Sequence, residues 1–274
     1  MSDLEDIFAT FRGKLSNYKA LTKDQLKIDM DRRYSTGNAY PDNRLWITAH
    51  HTELADIISS FLRPVTKGAR ILEIGCGQGG VAAHNLREAE SIVGTDLSDE
   101  ALKIAKDFFQ RFSNISFRQM DAENLDFPEK SFEIVIAKEV LEHLPDPAKC
   151  VADVSRVLVD GGFFALSSPN RDSLHLRINR LFGLPDFPCS GDHLNEMTFD
   201  EICAILEADN FMVAKAEGAM LLPFHYVKPI FLPEIEKAEN TDPEFVEISR
   251  VLGRRAGPEF AFGYVILAVK KSKG

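Results

Sequence analysis

From residue 69 onward, short apolar runs alternate with amphipathic segments, and no other feature constrains the fold as tightly. ARILEI, SIVGTDL, ISFRQM, FEIVIA and FFALSS read as strands. GGVAAHNLREAE, DEALKIAKDFFQRF and PAKCVADVSRVLVDGG read as helices between them. A run such as IVIA is apolar at every position, which suits a strand buried on both faces. Strands separated by helices pair in parallel through crossovers, so the chain predicts an α/β, doubly wound sheet. On DEALKIAKDFFQRF the helical period predicts an inner face of Ala101, Ile104, Ala105, Phe108 and Phe112.

The flanks are helical. Leu4, Ile7, Phe8, Phe11 and Leu15 follow one helical stripe, and Leu54, Ile57, Ile58, Phe61 and Leu62 follow another, which stops before Pro64. Thr22 and Gln25 form a capping box, with Leu21 and Leu26 placed as its staple. Thr198 and Glu201 cap a later helix, FDEICAILEAD, followed by the strand FMVAKAE; AFGYVILAVKK is the last strand. The expected organisation is an N-terminal helical lid or extension over residues 1–62, a core over 63–218 plus 259–274, and a cap inserted at 219–258, with lid and cap closing over the ligands. Tyr34, Tyr40 and Trp46 suit an aromatic lid. His225, Tyr226, Arg254 and Arg255 are candidate acceptor contacts, with packing or solvated surface the plainer role.

With 32 basic and 42 acidic residues the net charge is -10, which disfavours binding to a phosphate backbone. Four scattered cysteines without a C-x-x-C pair suit a reduced, cytoplasmic setting, and no run approaches a membrane span. The apolar stretch at 218–233 suits a pocket roof, a homodimer contact or a peripheral membrane contact.

The first strand ends in ILEIGCGQGGVA, residues 71–82. Glycines at a strand-to-helix turn let the backbone approach a ligand, and Asp96 closes the next strand, where a carboxylate accepts from a ribose diol. A nicotinamide cofactor and S-adenosylmethionine fit equally well so far. Glu73 separates them, because a carboxylate suits a cationic sulfonium ligand better than a pyrophosphate. Asp121 and Ala122, in MDAENL, suit an adenine edge: the acid accepts from the exocyclic amine and a backbone N–H donates to a ring nitrogen.

EIGCGQGG, GTDLS, MDAENLDFPEKSFEIVIAKEVLEHLPDP and DGGFFALSSPN, in this order, resemble the motifs of class I S-adenosylmethionine-dependent methyltransferases over roughly residues 65–215. The resemblance implies a Rossmann-like, seven-stranded sheet whose last strand runs antiparallel. It places Glu73, Gly75 and Gly77 around the methionine part, with Cys76 between them as a small filler. Asp96 would hold the ribose, Leu97 would wall the base, Asp121 and Ala122 would meet the adenine, and the Lys138 backbone would face the amino-acid moiety. Methyl transfer to a small organic acceptor, at oxygen first and at nitrogen or carbon otherwise, is the expected reaction.

Glu139, Glu142 and His143 are spaced to share one face of a helical turn. The set resembles the Glu-x-x-Glu-His metal site of ubiquinone-biosynthesis and small-RNA 2′-O-methyltransferases, with His193 where the RNA enzymes supply another histidine. This implies a divalent metal, magnesium or zinc, on Glu139, Glu142, His143 and His193. In the plainer reading Glu142, His143 and His193 serve the acceptor directly, or order the loop beneath the cofactor. RNA 2′-O-methylation and a non-catalytic regulatory subunit are the remaining readings. The first meets the wrong net charge, and the second meets an intact set of cofactor positions.

Overall fold

The computed structural model describes residues 22–35, 45–184, 186, 188–221, 223 and 233–272. The stripe at 4–15, the staple residue Leu21, Tyr40, His225, Tyr226 and most of the apolar stretch at 218–233 lie outside them.

Seven strands make one sheet: β1 (Arg70–Ile74), β2 (Ser91–Asp96), β3 (Ile115–Gln119), β4 (Phe132–Lys138), β5 (Leu158–Pro169), β6 (Phe211–Ala219) and β7 (Gly263–Lys270). Their order is β3-β2-β1-β4-β5-β7-β6. The first five pair in parallel, and β7 runs antiparallel to both β5 and β6. The doubly wound sheet with one reversed strand is therefore present.

The apolar runs are apolar because each strand feeds two cores. Leu72, Ile74, Val135 and Ala137 enter one cluster, whereas Ile71, Ile134 and Ile136 enter the other. The helices covering the first face include α5 (Pro147–Val157) and α7 (Phe199–Ala208). The opposite face is covered by α2 (Leu45–Leu62) and α3 (Gly80–Asn85). Leu54, Ile57, Ile58, Phe61 and Leu62 of α2 are buried against Ile71, Ile134 and Val265. This part of the 1–62 extension is thus a layer of the sandwich. By contrast α1 (Lys23–Ser35) buries only Leu26. In the region between β6 and β7, α8 (Pro233–Thr241) precedes α9 (Pro243–Ala256), which packs on β6 and α2.

The caps read from sequence are in place. The Thr198 side chain accepts from the Glu201 backbone while Glu201 reaches back to the Thr198 backbone. Thr22 and Gln25 exchange the same pair of bonds, at 2.9 and 3.3 Å.

Three expectations need correction. Helix α5 stops at Val157 and LVDGG belongs to β5, since Leu158 pairs with Phe132 of β4. Helix α4 (Asp99–Phe109) buries Ala101, Leu102, Ala105 and Phe109, leaving Phe108 62% and Ile104 38% exposed. A Cβ on Gly79 would stand 2.3 Å from the Phe109 ring, so the glycine loop supplies the room that selects Phe109. Finally, α6 (Leu174–Leu181) follows β5 where no helix was expected. No helix among the described residues is long and apolar enough to cross a membrane.

Candidate active site

The carboxyl ends of β1 to β5 open into one cavity of about 1260 Å³, where a sheet of this topology places its ligands. That exceeds the roughly 300–1,000 Å³ usual for one small ligand, so the space suits two. Every residue expected at the cofactor, from Glu73 to Lys138, lines it, as do Glu139, Glu142, His143 and His193.

The loop is built around Glu73. Its buried carboxylate accepts from the backbone N–H of Val81 at 2.6 Å and of Ala82 at 2.8 Å, capping α3 from beneath. A Cβ on Gly80 would lie 2.3 Å from the Glu73 carboxyl carbon, so only glycine fits there. Burial pushes Glu73 up to about 7, against the pull of the two amides. Asp96 accepts from Gly77 N and Ser98 N, both at 2.8 Å, and burial raises it too. Burial also raises the Cys76 thiol well above its ordinary value, which leaves it a neutral filler.

Asp121 closes the far end of the cavity. Its Oδ1 accepts from Glu123 N at 2.9 Å, and its Oδ2 meets Lys23 Nζ of α1 at 2.8 Å. Lys23 also pairs with Glu123. Further along α1, Arg33 pairs with Asp29 at 2.6 Å and with Asp192 at 3.2 Å. Helix α1 therefore lies across the cavity mouth and is tied down by charge. The sequence suggests a helical lid here but not the ion pairs that hold it, because partners about a hundred residues or more apart leave no periodic signal.

On the opposite side, residues Leu141–His143 form a single 3-10 turn. The Glu142 backbone carbonyl accepts from Leu194 N at 2.7 Å and from Asn195 N at 2.9 Å. Those bonds draw the loop bearing His193 against the turn, so the His143 and His193 rings stand 4.8 Å apart, edge to face. Ligand atoms of Glu142, His143 and His193 fall within 4.8 Å of one another. Glu142 is fully buried; Ser168 Oγ donates to its Oε2 at 3.1 Å, and its Oε1 has no partner among the described residues. Burial and the neighbouring Glu139 raise the Glu142 carboxyl. His193 is raised in spite of its burial, by a 2.6 Å contact with Glu196 and by Glu142. Burial, and then His193, lowers His143.

Glu139 does not join this group. Its backbone turns through a left-handed φ of 54° at the end of β4, and Ser167 Oγ donates to its Oε1 at 2.9 Å. Its Oε2 faces His50 Nε2 at 3.6 Å. Arg254 is not at the cavity either: it pairs with the buried Glu53 of α2 at 2.9 Å.

Residues 72–166 match the family model described as a methyltransferase domain. The matched residues run from β1 into β5, the parallel part of the Rossmann-like sheet. Among proteins similar to this chain, a ubiquinone biosynthesis O-methyltransferase of Alkalilimnicola ehrlichii is 36% identical over 39% of this chain and 44% of its own. The uncharacterized methyltransferase YcgJ of Bacillus subtilis is 32% identical over 51% of this chain and 56% of its own. The chain thus spans about half the length of these relatives. In fold it resembles the magnesium protoporphyrin IX methyltransferase of Synechocystis, solved with bound S-adenosylhomocysteine. The TM-score is 0.60 at 18% identity, over 89% of this chain and 99% of that one.

Proposed function

We propose that the protein transfers a methyl group from S-adenosylmethionine to a small organic acceptor, at oxygen. The observation that carries this reading is one cavity with Asp96 and Asp121 at one end and Glu142, His143 and His193 at the other. Asp96 holds the ribose hydroxyls, Leu97 covers the base, and Asp121 with the Ala122 backbone meets the adenine edge. Glu73 acts on the cofactor through shape: its oxygens are engaged by Val81 and Ala82, so it presents the Gly75–Gly77 backbone to the methionine part. The acceptor enters opposite the sulfonium, and the rate gain comes from in-line alignment of nucleophile, methyl carbon and sulfur in a water-poor site. The O-methyltransferase among the relatives supports oxygen as the acceptor atom.

A divalent cation on the acceptor side is a second reading, favoured by the unpartnered Oε1 of the buried Glu142 beside two imidazoles. One carboxylate and two imidazoles suit zinc or a similar borderline ion. Glu142, His143 and His193 would hold it, and the ion would lower the pKa of an acceptor hydroxyl.

Calorimetric titration with S-adenosylhomocysteine tests both readings, run with and without magnesium or zinc after chelation and beside NADH. Micromolar affinity for S-adenosylhomocysteine and none for NADH is the expected result. Asp96→Ala is expected to weaken that affinity by about 1–3 kcal/mol, the cost of losing a hydrogen-bonded charged group. NADH binding in its place would overturn the proposal. A metal-dependent heat lost in Glu142→Ala would establish the cation.

A further inference from the structure

His50 is 2% exposed on α2, yet its side chain lines the cavity. Neither of its ring nitrogens has a hydrogen-bond partner among the described residues. Nε2 has only the Glu139 carboxylate, at 3.6 Å, and a buried Nδ1 without a partner is costly, so at the wall of a ligand cavity it asks for one from the ligand. Its surroundings fix the ring. Trp46 stacks on it at 5.5 Å, Phe262 meets it edge to face at 5.0 Å, and Gly263 passes so close that a Cβ there would lie 3.1 Å from its Cε1.

The titratable neighbours lie on two elements. On α2, the ring of His51 stands 5.6 Å away, and burial, then Lys138 and His50, lowers it to about 3, so it stays neutral. From the end of β4 come Glu139, 3.6 Å from His50 Nε2, and Lys138, which acts on both Glu139 and His51. Burial alone would raise Glu139, yet its contact with His50 and the charge of Lys138 bring it below its ordinary value. The left-handed backbone of Glu139 and the Ser167 bond to its Oε1 aim the other oxygen at the imidazole.

We infer that His50 is the general base of the acceptor site, that Glu139 positions it and carries the counter-charge, and that the acceptor is an aromatic or enolic hydroxyl. The inference rests on the methyl-transfer reading above. The acceptor O–H bond breaks and its proton passes to His50 Nδ1, while Nε2 faces Glu139. The oxygen lone pair forms the new O–CH₃ bond as the S–CH₃ bond breaks. That bond's electron pair stays on sulfur, which leaves as the neutral thioether of S-adenosylhomocysteine, and the proton reaches solvent when the product departs. The acceptor class follows from matched basicity. Imidazole ordinarily titrates near 6.5 and a phenol near 10, a gap that phenolate consumption can cross. An alkyl alcohol, closer to water at about 15.7, lies out of reach. Ile47, Pro169 and Phe262 supply apolar walls for a flat ring.

The test uses the full chain loaded with S-adenosylhomocysteine and 4-nitrophenol as the probe, whose anion is read by absorbance between pH 5 and 8. Bound probe is expected to ionise about one unit below free probe, because the imidazolium it creates stabilises the phenolate. His50→Gln is expected to abolish that shift while S-adenosylhomocysteine affinity stays within twofold. Glu139→Gln is expected to shrink the probe's shift to less than half, an effect that loss of packing alone would not produce. Should His50→Gln not fold, the wild-type His50 resonance, seen by NMR in histidine-labelled protein, decides: it must move to the imidazolium position when the probe binds. A probe that does not bind, a shift that survives in His50→Gln or is unchanged in Glu139→Gln, or a His50 resonance unmoved by the probe overturns the inference. Failure of S-adenosylhomocysteine itself to bind would instead bring down the methyl-transfer reading, so the two failures are distinguishable.

Discussion

Glu73 shows how one side chain can shape a ligand site from beneath it. Its carboxylate replaces water for two of the orphan amides of α3, and Gly80 leaves it the room. Gly80→Ala adds a Cβ against that carboxyl at a φ of 58°, so a loss of about 1–3 kcal/mol of stability is expected, with weaker S-adenosylhomocysteine binding; chemical denaturation and calorimetry check both. The same residue gives a pH dependence. Burial raises Glu73 from 4.5 to about 7, so the folded chain holds a proton there that the unfolded chain releases earlier. Its contribution to stability is complete below about 4.5 and is lost as pH rises through about 7. Subtracting the thermal-melt profile of Glu73→Gln from that of the wild type should expose this downward slope; a flat difference would show that Glu73 is charged throughout.

Helices α1 and α2 adjoin the same cavity but are attached by different physics. Five core residues anchor α2, whereas α1 has Leu26 and a set of ion pairs with Asp121, Glu123, Asp99 and Asp192. Partly exposed pairs of this kind are each worth about 0–1 kcal/mol and are screened by salt. Amide exchange over residues 23–35 is therefore expected to speed up several-fold between low salt and about 1 M, where the Debye length shrinks to about 3 Å, with β4 unchanged. Equal protection of α1 at both salts would mean that packing holds it. The joint between α2 and α9 is more demanding, because Glu53 is wholly buried between Arg254 at 2.9 Å and Arg250 at 3.6 Å. Arg254→Ala is expected to cost about 1–3 kcal/mol in denaturant melts, since the Glu53 charge then has one distant partner; the half-exposed arginine limits the loss.

At the scale of the molecule, the sheet order brings the site together. Asp96 ends β2, Asp121 lies just after β3, Glu139 directly follows β4, and His193 arrives from the loop between α6 and α7. A ligand bridging these elements should stabilise the whole domain. S-adenosylhomocysteine at 100 times its Kd is expected to add about 2.7 kcal/mol, seen as a higher Tm, with no effect from NADH. The strands and the glycine loop were legible in the sequence, as was the Thr198–Glu201 cap. Burial on two faces, tight turns and helix caps are each encoded within a few neighbouring positions. The cluster around Glu142 was legible only in part. Glu142 and His143 adjoin in sequence, but His193 reaches them through the Glu142 carbonyl, and Glu139, spaced to join them, turns to His50 instead. Phe109 rather than Phe108 faces inward because Gly79 leaves space for it. What the sequence alone determined is the alternation of elements, and with it the doubly wound sheet and a glycine loop at the carboxyl end of its first strand. Only the tertiary structure decided which side chains meet across that sheet, because such meetings depend on strand order and on the volumes left by distant residues, neither of which has a local period.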